Sequence, residues 1–467
     1  MLITDETICA VSTAAGSGAI AVIRVAGPQA ISVVSELFRS PQKGKILSEQ
    51  KGGTFHYGTL YDGEEAIDEV VAMIYRTPHS FTGEDMVEVS CHGSAIIQQR
   101  IIRTLIERGV RMATAGEFTR RAFANGKMDL SQAEAVADLI GAQSDAARKI
   151  ALRQLKGGLS NELHQLRDKL LNLCTLLELE LDFSEEDVEF ADRTELVSIA
   201  TKADELVSQL ARSFKAGNAI KNGVPVAIVG PTNAGKSTLL NTLLNEERAI
   251  VSNVHGTTRD AIEDTMMIDG TLFRFIDTAG LRHTTDQVES IGIERTYEKM
   301  GKANIVLVVF DATTEPNTID ETLSNIDRSI NRSEQQLVIV LNKADIAPQS
   351  TLNQLQAQLI RWQPIAIVPI SAKNKNGIDS LCQVLINATT TDIVADISIV
   401  TNMRHYEALV RSHEALRRTL DGLSNGLSGE LVALDLHDVL DELASITGEV
   451  SSQEVLNNIF KHFCIGK

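Results

Sequence analysis

Two hydrophobic periodicities alternate along the first quarter of the chain. Strand-like apolar runs and helical 3.6-residue patterns follow one another, with glycine and proline between them. The strand-like runs are residues 18–25, 69–75 and 86–91, and the helical patterns are residues 29–38 and 94–107. This alternation predicts an α+β domain over residues 1–125.

A helical period then replaces the alternation. Residues 126–221 carry leucines at three- and four-residue steps, which form an amphipathic stripe. The stripe consists of Leu152, Leu155, Leu159, Leu163, Leu166, Leu170, Leu173 and Leu177. The acidic residues 182–192 separate two such helices and are interpreted as a solvated connection.

The pattern is helical again over residues 389–467, where Ser451 and Glu454 have the spacing of a capping box for a last helix. Two helical segments therefore flank residues 222–388. They favour one helical domain, in parts 126–221 and 389–467, with residues 222–388 inserted into it, because exposed loops tolerate insertions and domain ends lie close together. Two separate helical domains are the alternative.

The flanked segment alternates strands and helices, as a parallel sheet requires. Its first apolar run, residues 226–229, leads into residues 230–237, which match G-x-x-x-x-G-K-S. Such a loop wraps backbone N–H groups around phosphates, while Lys236 contacts the β- and γ-phosphates and the Ser237 hydroxyl binds Mg²⁺. The helix that follows directs its positive end at the same anion.

Four more motifs follow in the order found in guanine-nucleotide-binding proteins. Residues 256–260 (G-T-T-R-D) fit a switch loop with a Thr ligand to Mg²⁺, and residues 277–280 (D-T-A-G) fit the strand end behind the metal. In N-K-A-D, residues 342–345, Asp345 can accept from both guanine N–H donors. The S-A-K motif at residues 371–373 offers a backbone N–H to guanine O6. An accidental ordered set of five is improbable, so the segment is predicted to bind GTP.

The motifs and the loop before the switch supply the predicted GTP contacts. These are Asn233, Ala234, Gly235, Lys236, Ser237, Thr238, Ser252, Asn253, Val254, His255, Gly256, Thr257, Thr258, Asp277, Thr278, Ala279, Gly280, Asn342, Lys343, Asp345, Ser371, Ala372 and Lys373. Ser237 and Thr258 are the predicted Mg²⁺ ligands.

Bulk properties narrow the class of protein. A chain of 467 residues holds about two to four domains, and its formal charge of −18 argues against a nonspecific nucleic-acid coat. Five scattered cysteines without a C-x-x-C pair predict reduced thiols and no structural zinc site. Asp5 and Glu6 stand where a signal peptide would be basic, and no apolar run approaches membrane-spanning length, so a cytoplasmic protein is expected.

The combination of motifs resembles the MnmE (TrmE) family of tRNA-modification GTPases across essentially the whole chain. The blocks that carry the resemblance are S-F-T-G-E-D (80–85), G-E-F-T-R-R-A-F (116–123), N-G-K-M-D-L (125–130), N-A-G-K-S (233–237), G-T-T-R-D (256–260) and F-C-I-G-K (463–467). The N-terminal blocks and the terminal C-x-G-K are more specific than the GTPase motifs, which many GTPases share.

The resemblance implies a folate-binding N-terminal domain that also dimerises, and a Ras-like GTPase domain inserted in an α-helical domain. It implies a homodimer that forms a heterotetramer with the FAD-dependent MnmG protein and modifies C5 of the wobble uridine of certain tRNAs. The product would be an aminomethyl or carboxymethylaminomethyl uridine. The one-carbon unit would come from 5,10-methylene-tetrahydrofolate, of which 5-formyl-tetrahydrofolate is an analogue, and ammonium or glycine would supply the nitrogen.

Residue roles follow from the resemblance where the motifs match. Arg24, Glu84, Lys127 and Lys467 correspond to folate contacts, since cations pair with a glutamate carboxylate and a carboxylate suits the adjacent N–H donors of a pterin. Outside the family context, each is an ordinary surface ion-pair member.

The hydrolytic residues also follow from the resemblance. Leu281 stands where Ras-type GTPases place the glutamine that orients water. In this family K⁺ occupies the place of an arginine finger. The matching K⁺ ligands are Asn233, Ser252, Val254 and Thr257. Glu289 matches the general base, and Lys236, Arg259 and Asp260 complete the catalytic set of the GTPase.

Cys464 is the last predicted catalytic residue. The basic residues Lys461, His462 and Lys467 around it favour the reactive thiolate, and the family match favours a functional thiol. Whether it is a nucleophile or a structural contact stays open.

A second class of protein shares part of the evidence. Ribosome-assembly GTPases of the Era/Der type, which carry out no small-molecule chemistry, have the same phosphate loop, G-T-T-R-D and N-K-x-D motifs. They lack a folate-like N-terminal domain and C-I-G-K, and carry RNA-binding appendices such as KH domains instead.

Overall fold

The computed structural model describes residues 6–182, 193–244, 264–276, 300–301, 303–389, 398–461 and 463–466. The chain forms two compact units. The first contains residues 1–141, 151–207 and 408–467, and the second contains residues 142–150 and 208–407.

A seven-stranded sheet organises the N-terminal part of the first unit. Its strands are β1 (Ile8–Val11), β2 (Ile20–Ala26), β3 (Phe38–Arg39), β4 (Thr54–Asp62), β5 (Glu65–Tyr75), β6 (Met86–His92) and β7 (Arg111–Met112). They lie in the order β3-β4-β5-β6-β2-β1-β7. All neighbours are antiparallel except β1 and β7, which run parallel.

Alternation in these strands places a large hydrophobic core on one face of the sheet and a smaller buried cluster, which includes Met86 and Phe118, on the other. In β2, Ile23 and Val25 are buried against a cluster that includes Val87 and Val89 of β6, whereas Arg24 between them lies on the opposite face. Helices α1 (Ala30–Leu37) and α2 (Ala95–Ile106) contribute Val34 and Ile101, among others, to the same core. Helix α3 (Glu117–Ala124) follows β7.

Helices form the rest of the first unit and lead into the second. They are α4 (Leu130–Gly141), α5 (Asp145–Leu155), α6 (Gly158–Asp182), α7 (Arg193–Asn222), α12 (Met403–Ser424), α13 (Gly429–Thr447) and α14 (Gln453–Lys461). Helix α6 packs along α13, with Leu163, Leu170 and Leu177 of the predicted stripe buried.

Two sequence predictions need correction here. The leucine stripe is not one helix, because Gly157 takes a left-handed φ of +83° between α5 and α6. The capping box from Ser451 and Glu454 is wrong by one residue. The Val455 N–H donates to Ser452 Oγ at 3.3 Å, so Ser452 caps α14.

A six-stranded sheet organises the second unit. Its strands are β8 (Val224–Val229), β9 (Asp264–Ile268), β10 (Thr271–Phe275), β11 (Ile305–Asp311), β12 (Gln336–Asn342) and β13 (Ala366–Pro369), in the order β13-β12-β11-β8-β10-β9. Only the β9–β10 pair is antiparallel. The described helices of this sheet are α8 (Lys236–Leu244), α9 (Pro316–Asp327), α10 (Gln349–Leu359) and α11 (Ile378–Thr389).

This sheet has a hydrophobic core on each face. Val226 and Val338 contribute to one core, and Ala227 and Ile339 contribute to the other. The near-continuous apolar strands are what a parallel sheet covered on both faces requires.

The multidomain α/β fold class is therefore confirmed. Within the described residues, no helix is long and apolar enough to cross a membrane. None of the five cysteines, all of which are described, forms a disulfide.

Candidate functional site

The phosphate loop begins where β8 ends. Gly230 adopts a φ of +143°, and a Cβ there would lie 2.2 Å from the Val309 carbonyl oxygen, so the loop can leave the sheet at this point only with glycine. Lys236 opens α8, and its Nζ donates to the carbonyls of Gly230 at 2.8 Å and Pro231 at 2.6 Å. The ammonium thus lies inside the curve of the loop.

Burial lowers the pKa of Lys236, because an ammonium in a less polar environment loses hydration. Phosphate oxygens would replace that lost hydration better than two carbonyls, since they carry charge. Asn233 holds a left-handed φ of +65°, a conformation that asparagine tolerates better than most residues, and its side chain is exposed at the loop surface.

Asn342 joins the phosphate loop to the S-A-K loop. Its buried amide donates from Nδ2 to the Ala234 carbonyl at 2.9 Å, and its Oδ1 accepts from the Ala372 N–H at 3.0 Å. Thr242 Oγ1 of α8 donates to the Ala372 carbonyl at 2.9 Å. Three predicted motifs are therefore held together by one buried side chain. The Ala372 N–H is directed at Asn342.

The other residues predicted to contact the guanine base lie in the N-K-x-D and S-A-K loops. Lys343 takes a φ of +61° and its Nζ pairs with Asp311 Oδ2 at 2.6 Å. The exposed Asp345 accepts from the Asn374 amide at 3.1 Å. Ser371 and Asn376 form an antiparallel bridge that closes the S-A-K turn. Of the other predicted residues, Gly235 belongs to the phosphate loop and Lys373 to the S-A-K loop, while Ser237 and Thr238 follow Lys236 in the first turn of α8.

Several predicted residues lie outside the described part of the chain. They are Ser252, Asn253, Val254, His255, Gly256, Thr257, Thr258, Arg259, Asp260, Asp277, Thr278, Ala279, Gly280, Leu281, Glu289, His462 and Lys467. The acidic connection of residues 183–192 is also outside it. Their predicted roles stay predictions.

A second polar centre lies on the face of the N-terminal sheet that is opposite its larger core. Arg24 and Glu88 are directly opposed on β2 and β6, and Glu88 Oε1 accepts from Arg24 Nε at 2.9 Å and from Arg24 Nη2 at 2.7 Å. The guanidinium also lies over the rings of Phe81, at 5.1 Å, and Phe118, at 5.4 Å. These contacts fix the orientation of Arg24.

A cavity of about 280 Å³ adjoins this pair. Its lining residues are Tyr75, His79, Ser80, Phe81, Met86, Glu88 and Lys127. Tyr75 directs its hydroxyl at Glu88 Oε2 from 3.4 Å. Burial and then Glu88 raise the pKa of Tyr75, so the hydroxyl stays protonated as a donor. The cavity thus combines aromatic walls, one carboxylate and one lysine.

Lys127 reaches this cavity from the turn after α3. Its Nζ donates to the Pro78 carbonyl at 3.1 Å. Gly83 opposite has a φ of +80°, and a Cβ there would lie 3.2 Å from Lys127 Cγ. Asn125 Nδ2 donates to the Thr82 carbonyl at 2.7 Å. The S-F-T-G and N-G-K blocks of the sequence are therefore in direct contact in the fold.

Glu84 belongs to a buried ion-pair network beside the cavity. Arg121 donates to Glu84 at 3.2 Å and to Glu117 at 3.1 Å. Glu117 also accepts from both terminal nitrogens of Arg111, at 3.0 Å and 2.7 Å, and from the Thr114 N–H at 2.8 Å. Burial alone would raise the pKa of Glu117, but Arg111, Thr114 and Arg121 lower it to about 2.

Residues Phe463–Gly466, called the tail below, contact the same unit. The Cys464 carbonyl accepts from the Gly116 N–H at 3.4 Å, and Ile465 forms an isolated antiparallel β-bridge with Ala115. Ser12 Oγ donates to the Gly466 carbonyl at 3.1 Å. Phe463 is buried with Phe460 and Leu130, among others, while the Cys464 side chain is exposed.

Sequence inspection missed several residues of both centres. Glu88 was not predicted, although it alternates with apolar residues on β6 and faces Arg24 across the sheet. Asp311, at the end of an apolar strand, was missed in the same way, and so was Asn374 beside Asp345. A search for polar residues at strand ends and cross-strand positions would have found the first two.

Comparisons with known proteins address the family directly. The model of the TrmE N-terminus matches residues 7–127, and that of the MnmE helical domain matches residues 130–464. A relative from Bacteroides thetaiotaomicron, a tRNA modification GTPase MnmE, is 52% identical, with 99% of this chain and 100% of the relative covered. The chain belongs to the MnmE family. These matches confirm the family resemblance, and the chain is a GTPase of the tRNA-modification class.

Other MnmE relatives extend the match. The one from Flavobacterium johnsoniae is 48% identical over the full length of both chains, and the one from Porphyromonas gingivalis is 50% identical over 99% of this chain and 98% of its own. A solved structure of Era with MgGDPNP and a 16S ribosomal RNA segment is 27% identical. It covers 41% of this chain and 66% of that chain, with a TM-score of 0.29.

Proposed function

We propose that this GTPase is the folate-using subunit of a complex that modifies tRNA at the wobble uridine, position 34. The complex adds an aminomethyl or carboxymethylaminomethyl group at C5, with 5,10-methylene-tetrahydrofolate as one-carbon donor. The working assembly is a cytoplasmic homodimer that binds an FAD-dependent MnmG partner as a heterotetramer. The proposal joins the family membership to the chemistry of the two centres.

The observation that carries the folate assignment is the cavity beside Arg24 and Glu88. Its volume of about 280 Å³ is near the lower end for small-molecule pockets, about 300 Å³, which suits a pterin ring rather than an entire folate. Phe81 and Tyr75 offer aromatic surface, Glu88 can accept from adjacent pterin N–H groups, and Lys127 can pair with a glutamate carboxylate. Arg24 orients Glu88.

The GTPase chemistry relies on the phosphate-loop centre of the six-stranded sheet. Lys236 and the phosphate-loop amides bind the phosphates. Asp345 selects guanine, because adenine lacks the pair of N–H donors that guanine offers to a carboxylate. Ser237 and Thr258 are the residues for Mg²⁺, whose charge offsets that of the phosphates. Asn233, Ser252, Val254 and Thr257 are the proposed ligands of K⁺, and Glu289 is the proposed general base. Arg259 and Asp260 complete the switch loop.

The tail connects the folate centre to the proposed modification chemistry. Cys464 lies beside Gly116 at the start of α3, and α3 carries Phe118, which contacts Arg24. Its exposed thiol is accessible to a bound substrate. We assign the thiol to uridine modification and not to GTP hydrolysis.

The test is a fluorescence titration with 5-formyl-tetrahydrofolate. The wild-type chain is expected to bind, and Lys127→Ala to weaken binding about tenfold, equivalent to about 1.4 kcal/mol. Lys43→Ala removes an exposed lysine of the same unit and is the matched control, with unchanged affinity. Equal affinity of the wild type and Lys127→Ala would remove Lys127 from the site, and absence of binding by the wild type would refute the folate assignment.

A further inference from the structure

Three side chains outside both centres converge between two helices of the first unit. Cys174 and Glu178 are four residues apart on α6, a spacing that puts them on one helix face, and His437 lies on α13. Cys174 Sγ is 3.5 Å from His437 Nε2 and 3.7 Å from Glu178 Oε1. His437 Nε2 is 2.9 Å from Glu178 Oε1.

These separations resemble those between ligands of one tetrahedral metal ion. Zinc lies about 2.3 Å from sulfur and about 2.0–2.2 Å from imidazole nitrogen or carboxylate oxygen, so tetrahedral angles place sulfur about 3.6 Å from either atom and nitrogen about 3.4 Å from oxygen. The two observed sulfur distances agree within about 0.1 Å. The nitrogen–oxygen pair needs to open by about 0.5 Å, which a side-chain rotation allows.

The exposure of the three residues suits the entry of an ion. The Cys174 side chain is buried, whereas the side chains of His437 and Glu178 are 52% and 51% exposed. An ion could therefore approach from solvent, with the sulfur beneath it and the two other ligands at the rim. Among the described residues, this is the group of three such side chains whose ligand atoms lie within 4.8 Å of one another.

We propose that Cys174, Glu178 and His437 form a site for a divalent transition-metal ion, with Zn²⁺ the best-suited ion. Thiolate, imidazole and carboxylate are all zinc ligands, and three protein ligands leave a fourth position for water. On binding, the Cys174 thiol releases its proton to solvent while the sulfur electron pair bonds to the metal, with no change of oxidation state.

The site links chain segments on both sides of the second unit. Cys174 precedes that unit's main segment, residues 208–407, and His437 follows it. A bound ion would connect α6 to α13 and stabilise their packing, because it binds the folded arrangement and not the separated helices. The 263-residue separation also explains why a search for short C-x-x-C spacings does not find this group.

The test uses Co²⁺ as a spectroscopic substitute for Zn²⁺ on the full-length, reduced, chelator-treated protein without nucleotide. The expected result is a thiolate-to-cobalt charge-transfer band that saturates at one ion per chain and is abolished by Zn²⁺. Cys174→Ser should abolish the band. His437→Asn and Glu178→Gln should each weaken Co²⁺ binding at least about tenfold while leaving GTP hydrolysis unchanged.

Two matched controls are available. Cys382→Ser changes a cysteine of α11. His413→Asn changes a histidine whose partner is a carboxylate, Asp204 at 2.5 Å, and not a thiol. Both should keep the wild-type band.

The proposal is overturned if the wild type gives no charge-transfer band, or if Cys174→Ser retains it. Should Cys174→Ser fail to fold by circular dichroism, the exposed His437 and Glu178 variants decide, and wild-type affinity in both would overturn it.

Discussion

A Cβ on Gly235 would lie 2.2 Å from Asn342 Nδ2. The phosphate loop therefore passes the N-K-x-D asparagine with no room for a side chain. The close approach allows Asn342 to bond to the adjacent Ala234 carbonyl. The motifs proposed to bind the base and the phosphates share this contact.

Gly235→Ala should weaken GTP binding at least about tenfold. The new methyl group displaces Asn342, and the φ of +90° adds strain of about 1–3 kcal/mol. Titration with a fluorescent GTP analogue measures the loss. Gly270→Ala is the control, because Gly270 has a similar φ of +80° with nothing within 4 Å of its Cβ position. If both variants bind GTP like the wild type, the Gly235–Asn342 contact does not shape the site.

Asp345→Asn should shift base preference from GTP toward xanthosine triphosphate. The carboxylate accepts from two guanine donors, whereas an amide can donate to the C2 carbonyl of xanthine. Asp345 is exposed and accepts a hydrogen bond from the Asn374 amide, so the exchange should leave the fold intact. Competition between the two nucleotides measures the preference. Unchanged GTP affinity would remove Asp345 from the base pocket.

GTP hydrolysis should be fast in KCl and slow in NaCl at equal ionic strength. The proposed ring of oxygens around Asn233 and residues 252–257 suits a large monovalent ion, and Na⁺ is too small to contact all of them without strain. Single-turnover rates in the two salts give the comparison, and equal GTP affinity in both salts is the control. Equal rates, with GTPase-domain dimers detected in both salts, would refute a K⁺ site.

Glu117→Gln should lower the free energy of unfolding by about 3–5 kcal/mol at neutral pH, the usual cost of removing one partner from a buried ion pair. The pKa of about 2 lies below the unfolded value of about 4.5, so the carboxylate stabilises the fold above about pH 4.5. That contribution is lost as the pH falls from about 4.5 through about 2. Urea unfolding at several pH values measures it.

Glu107→Gln is the matched control for that measurement. Glu107 pairs with Arg103, but both side chains are more than half exposed, so the exchange should cost about 0–1 kcal/mol. The wild type and Glu117→Gln should converge in stability toward the acidic end of the range. A difference that is constant at every pH would show that the carboxylate charge is not the stabilising feature.

Cys464→Ser should abolish uridine modification in the complex with the FAD-dependent partner and leave K⁺-stimulated GTP hydrolysis nearly intact. Cys464 contacts Gly116 through its backbone carbonyl, so the side-chain exchange should not disturb the tail. Mass spectrometry of tRNA nucleosides measures the product, with Cys382→Ser as the control. Normal modified uridine from Cys464→Ser would make the thiol dispensable.

The elements with strong periodicity could be predicted from the sequence. The helical pattern at residues 94–107 corresponds to α2, and the run at residues 86–91 corresponds to β6. Strand β4 was missed, because Thr54 to Asp62 mixes aromatic and polar residues and its partner is needed to define the buried face. The break at Gly157 was missed because leucine spacing alone does not report backbone φ.

The GTP centre could be predicted because its residues lie in contiguous motifs. The structure added what couples them: Asn342 bonded to both neighbouring loops, and Asp311 beside Lys343. In the N-terminal unit the prediction was less complete. Glu84 was predicted as a folate contact, and the structure places it against Arg121, while Glu88 lines the cavity. Cross-strand partners 64 residues apart are not visible in a linear sequence.

The tail contact has a consequence for the order of folding during synthesis. Ser12 bonds to Gly466, which lies 454 residues later. The seven-stranded sheet can form while the ribosome is still translating the helices, since its strands lie within the first 112 residues. Ser12, which directly follows β1, receives the tail only when almost the whole chain has been made. Cys464 therefore reaches its position beside Gly116 last, so an incomplete nascent chain can have a folded N-terminal sheet but not the proposed modification site.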